Sequence, residues 1–183
     1  MNIRKATDKD IDAVASLYEK IHNAEEKGEM TTGWERGVYP LRETAEAALQ
    51  RNDLFVMEES GKVIGAAIIN QIQVDVYDGA DWEYEADPSR VMVIHTMLID
   101  PEMKRRGYGT AFLSFYEEYA LQNKCPYLRL DTNEKNLVAR SLYKALGYKE
   151  IGTVPCVFNG IEGVNLVLIE KCLLSKNSNC DKR

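Results

Sequence analysis

Histidine and cysteine are scarce in this chain. The two histidines are His22 and His95, and the four cysteines are Cys125, Cys156, Cys172 and Cys180. None of the cysteines has metal-ligand spacing, and so few histidines weaken a zinc reading further, so no metal site is expected. No apolar run is long enough to cross a bilayer. The N-terminus, MNIRKATDKDIDAV, lacks a hydrophobic signal region, so a cytoplasmic protein with reduced thiols and no membrane partner is expected. Surplus positive charge is also missing. A net charge of −6 argues against a nucleic-acid partner, which calls for a basic surface. Internal repeats and low-complexity linkers are absent. What remains is 183 residues, 45% hydrophobic and 28% charged, enough for one globular domain with its own core. That domain is expected over residues 1–174, with a frayed tail over 175–183.

Periodicity orders the elements. NIRKAT alternates as a first strand, and Thr7 with Asp10 forms a capping box ahead of a helix. Ile11, Val14, Ala15, Tyr18 and Ile21 give that helix one apolar face. A glycine-containing loop, NAEEKGEMTTGWERGVYPL, leads to a second helix from about Glu43 to Asn52. Two apolar runs around Ser60-Gly61-Lys62 predict a β-hairpin. An acidic segment, DVYDGADWEYEADPSR, precedes the apolar strand VMVIHTMLID. Next comes a helix with Phe112, Leu113, Tyr116, Tyr119 and Ala120 on one side. The strand YLRLDT, a helix stopped at Gly147 and two last strands complete the chain. The order is strand, helix, helix, three strands, helix, strand, helix, two strands, a mixed α/β (α+β) layer architecture rather than regular βαβ alternation.

The stretch KRRGYGT, residues 104–110, enters the third helix through three cations and two glycines. A helix start leaves amide N–H groups unpaired and carries partial positive charge. Glycines let a backbone come close to a ligand. Together they make an anion site, most naturally for phosphate. It is not a Walker loop, which needs a longer glycine spacing and a Lys-Ser/Thr. It is not the dinucleotide fingerprint either, because Phe112 stands where the third glycine belongs. On these residues alone, a tight turn with a solvated basic face is an equal reading.

Context tips the balance. From about Ile94 to Tyr148 the chain resembles the GCN5-related N-acetyltransferase (GNAT) family. The family signature Gln/Arg-x-x-Gly-x-Gly/Ala appears as Lys104-x-x-Gly107-x-Gly109, after the strand IHTMLIDP. Lysine departs from the usual first residue but leaves the backbone cradle intact. A second element, Asn-x-x-Ala-x-x-Leu-Tyr followed by Leu-Gly-Tyr, appears at Asn136, Ala139, Leu142 and Tyr143. The resemblance implies a GNAT fold: about seven mostly antiparallel strands splayed at the centre, with about four helices. It implies acetyl-CoA as cofactor and acetyl transfer to a primary amine by direct attack in a ternary complex. Arg105, Arg106, Gly107, Tyr108, Gly109 and Thr110 would hold the pyrophosphate. Met97, Leu98 and Ile99 would pair with the pantetheine arm as with another strand. Asn136, Ala139 and Tyr143 would complete the cofactor site. Family members are often dimers, which makes a homodimer an expectation.

Acetyl transfer needs a neutral amine, a donor for the developing oxyanion and a proton for the leaving thiolate. Read from its residues alone, Tyr143 is a core aromatic beside Val138, Leu142 and Leu146; the resemblance implies a general acid. Asp131, in RLDTN, and His95, on the central strand, are the candidate bases. Each is equally readable as a satisfied buried group. Alternation would put His95, Met97 and Ile99 on one face. Glu83 and Glu85 are candidates for a water-linked base.

The acceptor is expected to meet an aromatic and acidic rim containing Trp34, Tyr39, Trp82, Glu83 and Glu85. Aromatics and carboxylates suit a cationic amine, whether a small amine, an amino acid or a peptide N-terminus. The alternative reading of those tryptophans is packing that pins long loops. The alternative to an enzyme is a non-catalytic module that senses acyl-CoA.

Overall fold

The computed structural model describes residues 1–174; the expected frayed tail lies outside them. The elements follow the predicted order. They are β1 (Asn2–Lys5), α1 (Ile11–Glu26), α2 (Arg42–Gln50), β2 (Leu54–Glu59), β3 (Lys62–Asn70), β4 (Val91–Ile99), α3 (Tyr108–Gln122), β5 (Tyr127–Asn133), α4 (Leu137–Ala145), β6 (Lys149–Phe158) and β7 (Ile161–Cys172). The Thr7 amide and hydroxyl both donate to Asp10, at 2.8 and 2.9 Å, so the expected box is present. Helix α1 runs on through Asn23–Glu26, which the sequence reading placed in the loop; Ala24 is buried there and holds the last turn against the core. Cys125 and Cys156 are free, whereas Cys172 is disulfide-bonded, against the expectation that all thiols are reduced.

The seven strands form one sheet in the order β1-β2-β3-β4-β5-β7-β6. Both hairpin turns have two successive residues at positive φ, the type I′ geometry that suits strand twist. These are Ser60 with Gly61 and Asn159 with Gly160. All neighbours are antiparallel except β4 and β5. That parallel pair is short: Val91 to Tyr127, Met92 to Leu128 and Val93 to Arg129. Beyond it the strands part. Tyr116, fully buried on α3, sits at the fork, where its hydroxyl reaches Met92 O at 2.6 Å and Arg129 O at 3.2 Å.

Helices α3 and α4 cover one face of the sheet, around Phe112, Leu113, Tyr116, Leu128 and Leu130. Helices α1 and α2 cover the β1–β4 half of the other face, around Leu17, Ile21, Val56 and Ile68. Residues 74–86 cover the β5–β7 half, through Tyr77 and Trp82.

Strand β4 carries a bulge. Ala66 pairs with Leu98 but Ile68 pairs with His95, so β4 has one residue more than β3 over this stretch. Thr96 takes φ 51° there, a region β-branched residues avoid. The extra residue reverses the alternation. Met92 and Ile94 share a face with Met97 and Ile99, while Leu98 packs with α1 and α2. His95, paired with Ile68 of that second cluster, therefore faces away from Met97 and Ile99. The expectation that the three share a face is corrected by the bulge.

Candidate active site

A cavity of about 440 Å³ opens where β4 and β5 diverge. Because the sheet is split there, side chains from both faces line it. Tyr143, Ala139 and Asn136 come from the α4 side. His95, Asp131, Tyr39, Trp34, Asn70 and Arg51 come from the other.

Asp131 projects from β5 just past the fork. The Tyr77 hydroxyl donates to its Oδ2 at 2.7 Å. Burial raises the Asp131 carboxyl to about 6, against the opposing pull of that hydrogen bond. Burial moves His95 the other way, down to about 4, so its ring is neutral near pH 7. Its tautomer follows from its neighbours. Asn70 Nδ2 donates to Asp53 at 2.8 Å, which fixes Asn70 Oδ1 as an acceptor. Oδ1 accepts from the Ile72 amide and lies 3.1 Å from His95 Nε2. Nε2 therefore carries the proton. Tyr143 is held well above the ordinary phenol range, first by burial and then by the Asp131 charge. Its hydroxyl has no hydrogen-bond partner among the described residues, though the ring meets Tyr148 at a tilt, with centroids 5.9 Å apart.

Asn136 caps α4. Its Oδ1 accepts from the Ala139 amide at 3.3 Å and its Nδ2 donates to Thr132 at 3.3 Å. Trp34 and Tyr39 meet edge to face at 6.1 Å. The Tyr39 hydroxyl also makes a short hydrogen bond to the bulge residue Thr96. Residues 27–41 form a strap across the mouth. Glu25 anchors it by accepting from Thr32 N, Thr32 Oγ1 and Gly33 N. At the far side Thr31 donates to Lys135 O at 2.9 Å, and Gly33 abuts the Asn133 side chain so closely that a Cβ would collide with it.

At the other end of the fork, β4 leads through residues 104–107 into α3. Gly107 is the N-cap, at φ 80°, and Arg105 is also at positive φ. The first helical bond runs from Ala111 N to Gly107 O. Among the described residues the amides of 104–110 donate to nothing, and no side chain caps the helix. Lys104, Arg105 and Arg106 are exposed and make no ion pair within the described residues. A Cβ on Gly107 would meet nothing within 4 Å, whereas one on Gly109 would meet Leu142 Cδ2 at 3.0 Å. The first glycine serves the turn and the open cradle; the second lets α3 approach α4. This uncapped, cation-flanked helix start fits a phosphorylated ligand.

Three expected acceptor residues lie elsewhere. Trp82 is buried, donates to Tyr77 O at 3.1 Å and stacks under Arg129 at 4.2 Å. Glu83 pairs with Lys149, and its amide donates to Glu170 at 2.6 Å. Glu85 lines a separate shallow pocket beside Trp82. The acidic loop folds over the β5–β7 face rather than toward the cavity, and Trp82 pins it there. Arg51, Asn70 and Thr96 line the cavity and were not singled out from sequence. Asn70 ends β3 and Arg51 follows α2, positions whose neighbours only the sheet register defines.

No described helix is long and apolar enough to cross a membrane, and no His/Cys/Asp/Glu group among the described residues is suited to a metal. The acetyltransferase (GNAT) family model matches residues 14–148. The uncharacterised N-acetyltransferase YhfO of Bacillus subtilis (strain 168) is 27% identical over 82% of this chain and 91% of its own. A GNAT-family acetyltransferase from Streptococcus agalactiae superposes with a TM-score of 0.78 at 25% identity, over 95% of this chain and 96% of that one. The structure of yncA from Salmonella typhimurium with its cofactor acetyl-CoA shares the fold, with a TM-score of 0.68 at 18% identity over 98% and 97% of the two chains. The split sheet, the uncapped glycine turn and these matches agree: the chain belongs to the GNAT family and is an N-acetyltransferase.

Proposed function

We propose that this enzyme acetylates the primary amine of a small acceptor by direct attack within the split in its sheet, Asp131 acting as base and Tyr143 as acid. The observation that carries the reading is that these two side chains, from opposite faces, line one cavity. Acetyl-CoA, the cofactor of the family, supplies an acetyl group activated as a thioester. The free amides of 105–110, with Arg105 and Arg106 beside them, suit its pyrophosphate. The unpaired edge of β4 at Met97, Leu98 and Ile99 suits its pantetheine arm. Leu98 contributes backbone only, since its side chain is buried against α1 and α2.

Asp131 takes the proton from the attacking amine. A base near pH 6 is ionised at neutral pH and still basic enough to work. His95 is the weaker base, with its Nε2 already donating to Asn70. Tyr143, protonated throughout the working range, gives its proton to the departing thiolate. Trp34 and Tyr39 offer ring faces to the acceptor.

The test is calorimetric titration with acetyl-CoA, followed by thiol release with a panel of amines, amino acids and peptides. Binding with thiol release on one class supports the enzyme and names its acceptor. No binding sinks the cradle and what rests on it.

A further inference from the structure

Among the Lys and Arg side chains of the described residues, Arg51 is the one that lines the active-site cavity. It is a held side chain. Its Nε donates to Asp53 Oδ2 at 2.9 Å and its Nη2 to Asp53 Oδ1 at 3.3 Å. Asp53 is buried and is gripped in turn by Asn70, which also holds His95. Arg51, Asp53, Asn70 and His95 thus form one chain of hydrogen bonds along the cavity wall. One edge of the guanidinium, Nε with Nη2, is used by Asp53. Nη1 has no partner among the described residues, which leaves a planar donor edge for an oxyanion. Arg51 shares the cavity lining with Tyr39 and His95, and its side chain is 44% exposed, so the free edge is open to a ligand entering the cavity. The acidic segment expected to greet a purely cationic amine is turned away to the other side of the sheet.

Building on the acetyltransferase reading, we infer that the acceptor carries an anionic group, a carboxylate in the simplest case, as well as its amine, and that Arg51 reads it. The cavity is bipolar. Asp131 marks the end where the amine loses its proton, and Arg51 marks the end that holds the acid. An α-amino acid or a related amino-carboxylate fits that polarity; a plain alkylamine or polyamine does not.

The experiment uses matched pairs: free amino acids against their amides and against the amines lacking the carboxyl group. Thiol release gives kcat and KM. Calorimetry on coenzyme A-loaded protein gives acceptor binding without turnover. The expected result is a preference for the acid of about ten- to hundredfold, the size of a charged hydrogen bond, expressed in KM and in binding. Arg51→Gln should erase that preference. Arg51→Lys keeps the charge beside buried Asp53, controls for folding and should restore part of the preference. Acids that turn over no better than their amides overturn the inference and leave the acetyltransferase reading intact. Acids that bind in an Arg51-dependent way without turnover support the inference and count against the enzymatic reading. Binding of neither arm overturns it.

Discussion

Asp131 and His95 line one cavity, yet burial moves them apart, one to about 6 and the other to about 4. In the proposed role the carboxyl acts when ionised, so kcat/KM should rise with pH through about 6 and then level. The groups around Asp131 are Tyr77, Tyr143, Tyr39 and Cys156, all neutral there, so the limb should follow a single group. Asp131→Asn should cost at least about a hundredfold in kcat/KM and remove the limb, while His95→Gln should leave the limb in place. Tyr143→Phe should lower kcat by about a hundredfold and leave acetyl-CoA affinity, read by calorimetry, nearly unchanged. That Tyr143 and the glycine turn flank one split in the sheet was legible because each stands at a fixed place in a short motif; Asp131 was only one of two candidates, and its place in the cavity comes from the fold. The Tyr77 hydrogen bond to Asp131 was not, since it joins residues brought together only by the fold. Trp82, Glu83 and Glu85 misled because composition tells how charged a loop is, not which way it folds.

Among the elements, the contact between α3 and α4 depends on one missing side chain. Gly109→Ala places a methyl group 3.0 Å from Leu142 Cδ2. The clash should cancel the gain of about 1 kcal/mol that alanine otherwise brings to a helix, leaving little net change. Leu142→Ala in the same chain should relieve the clash, seen as non-additivity in a urea double-mutant cycle. The order of the elements was readable from periodicity and glycine punctuation, and both hairpin turns follow turn chemistry. The bulge was not readable. Threonine gives no warning of positive φ, and Thr96 holds it because Tyr39 and the β3 register fix its surroundings. One inserted residue then moved His95 to the opposite face.

For the whole molecule, the buried Asp131 carboxylate is a burden on folding. The Asp131 carboxyl is raised from 3.8 to about 6, so the folded state binds more protons than the unfolded one between those values. The Asp131 contribution to stability should therefore fall as pH rises from about 4 to 6 and then hold, while His95, lowered to about 4 by burial, contributes with the opposite sign over the same window. Asp131→Asn should be more stable than the parent at pH 8 by about 3 kcal/mol, with the gain vanishing near pH 3. The difference in urea midpoint between variant and parent across that range, which cancels the His95 term, checks the sign.

The sheet has the shape of a wishbone. Three residue pairs join its arms at one end, and the strap from α1 spans the open end like a tie rod. Tyr39 fastens the rod to the bulge on one arm, and Thr31 and Gly33 fasten it to the other. On the proposed reading the rod therefore gauges two widths at once: the room left for the acceptor and the slot left for the donor. A lineage that lengthened this strap to admit a bulkier amine would slacken its hold on the thioester in the same step.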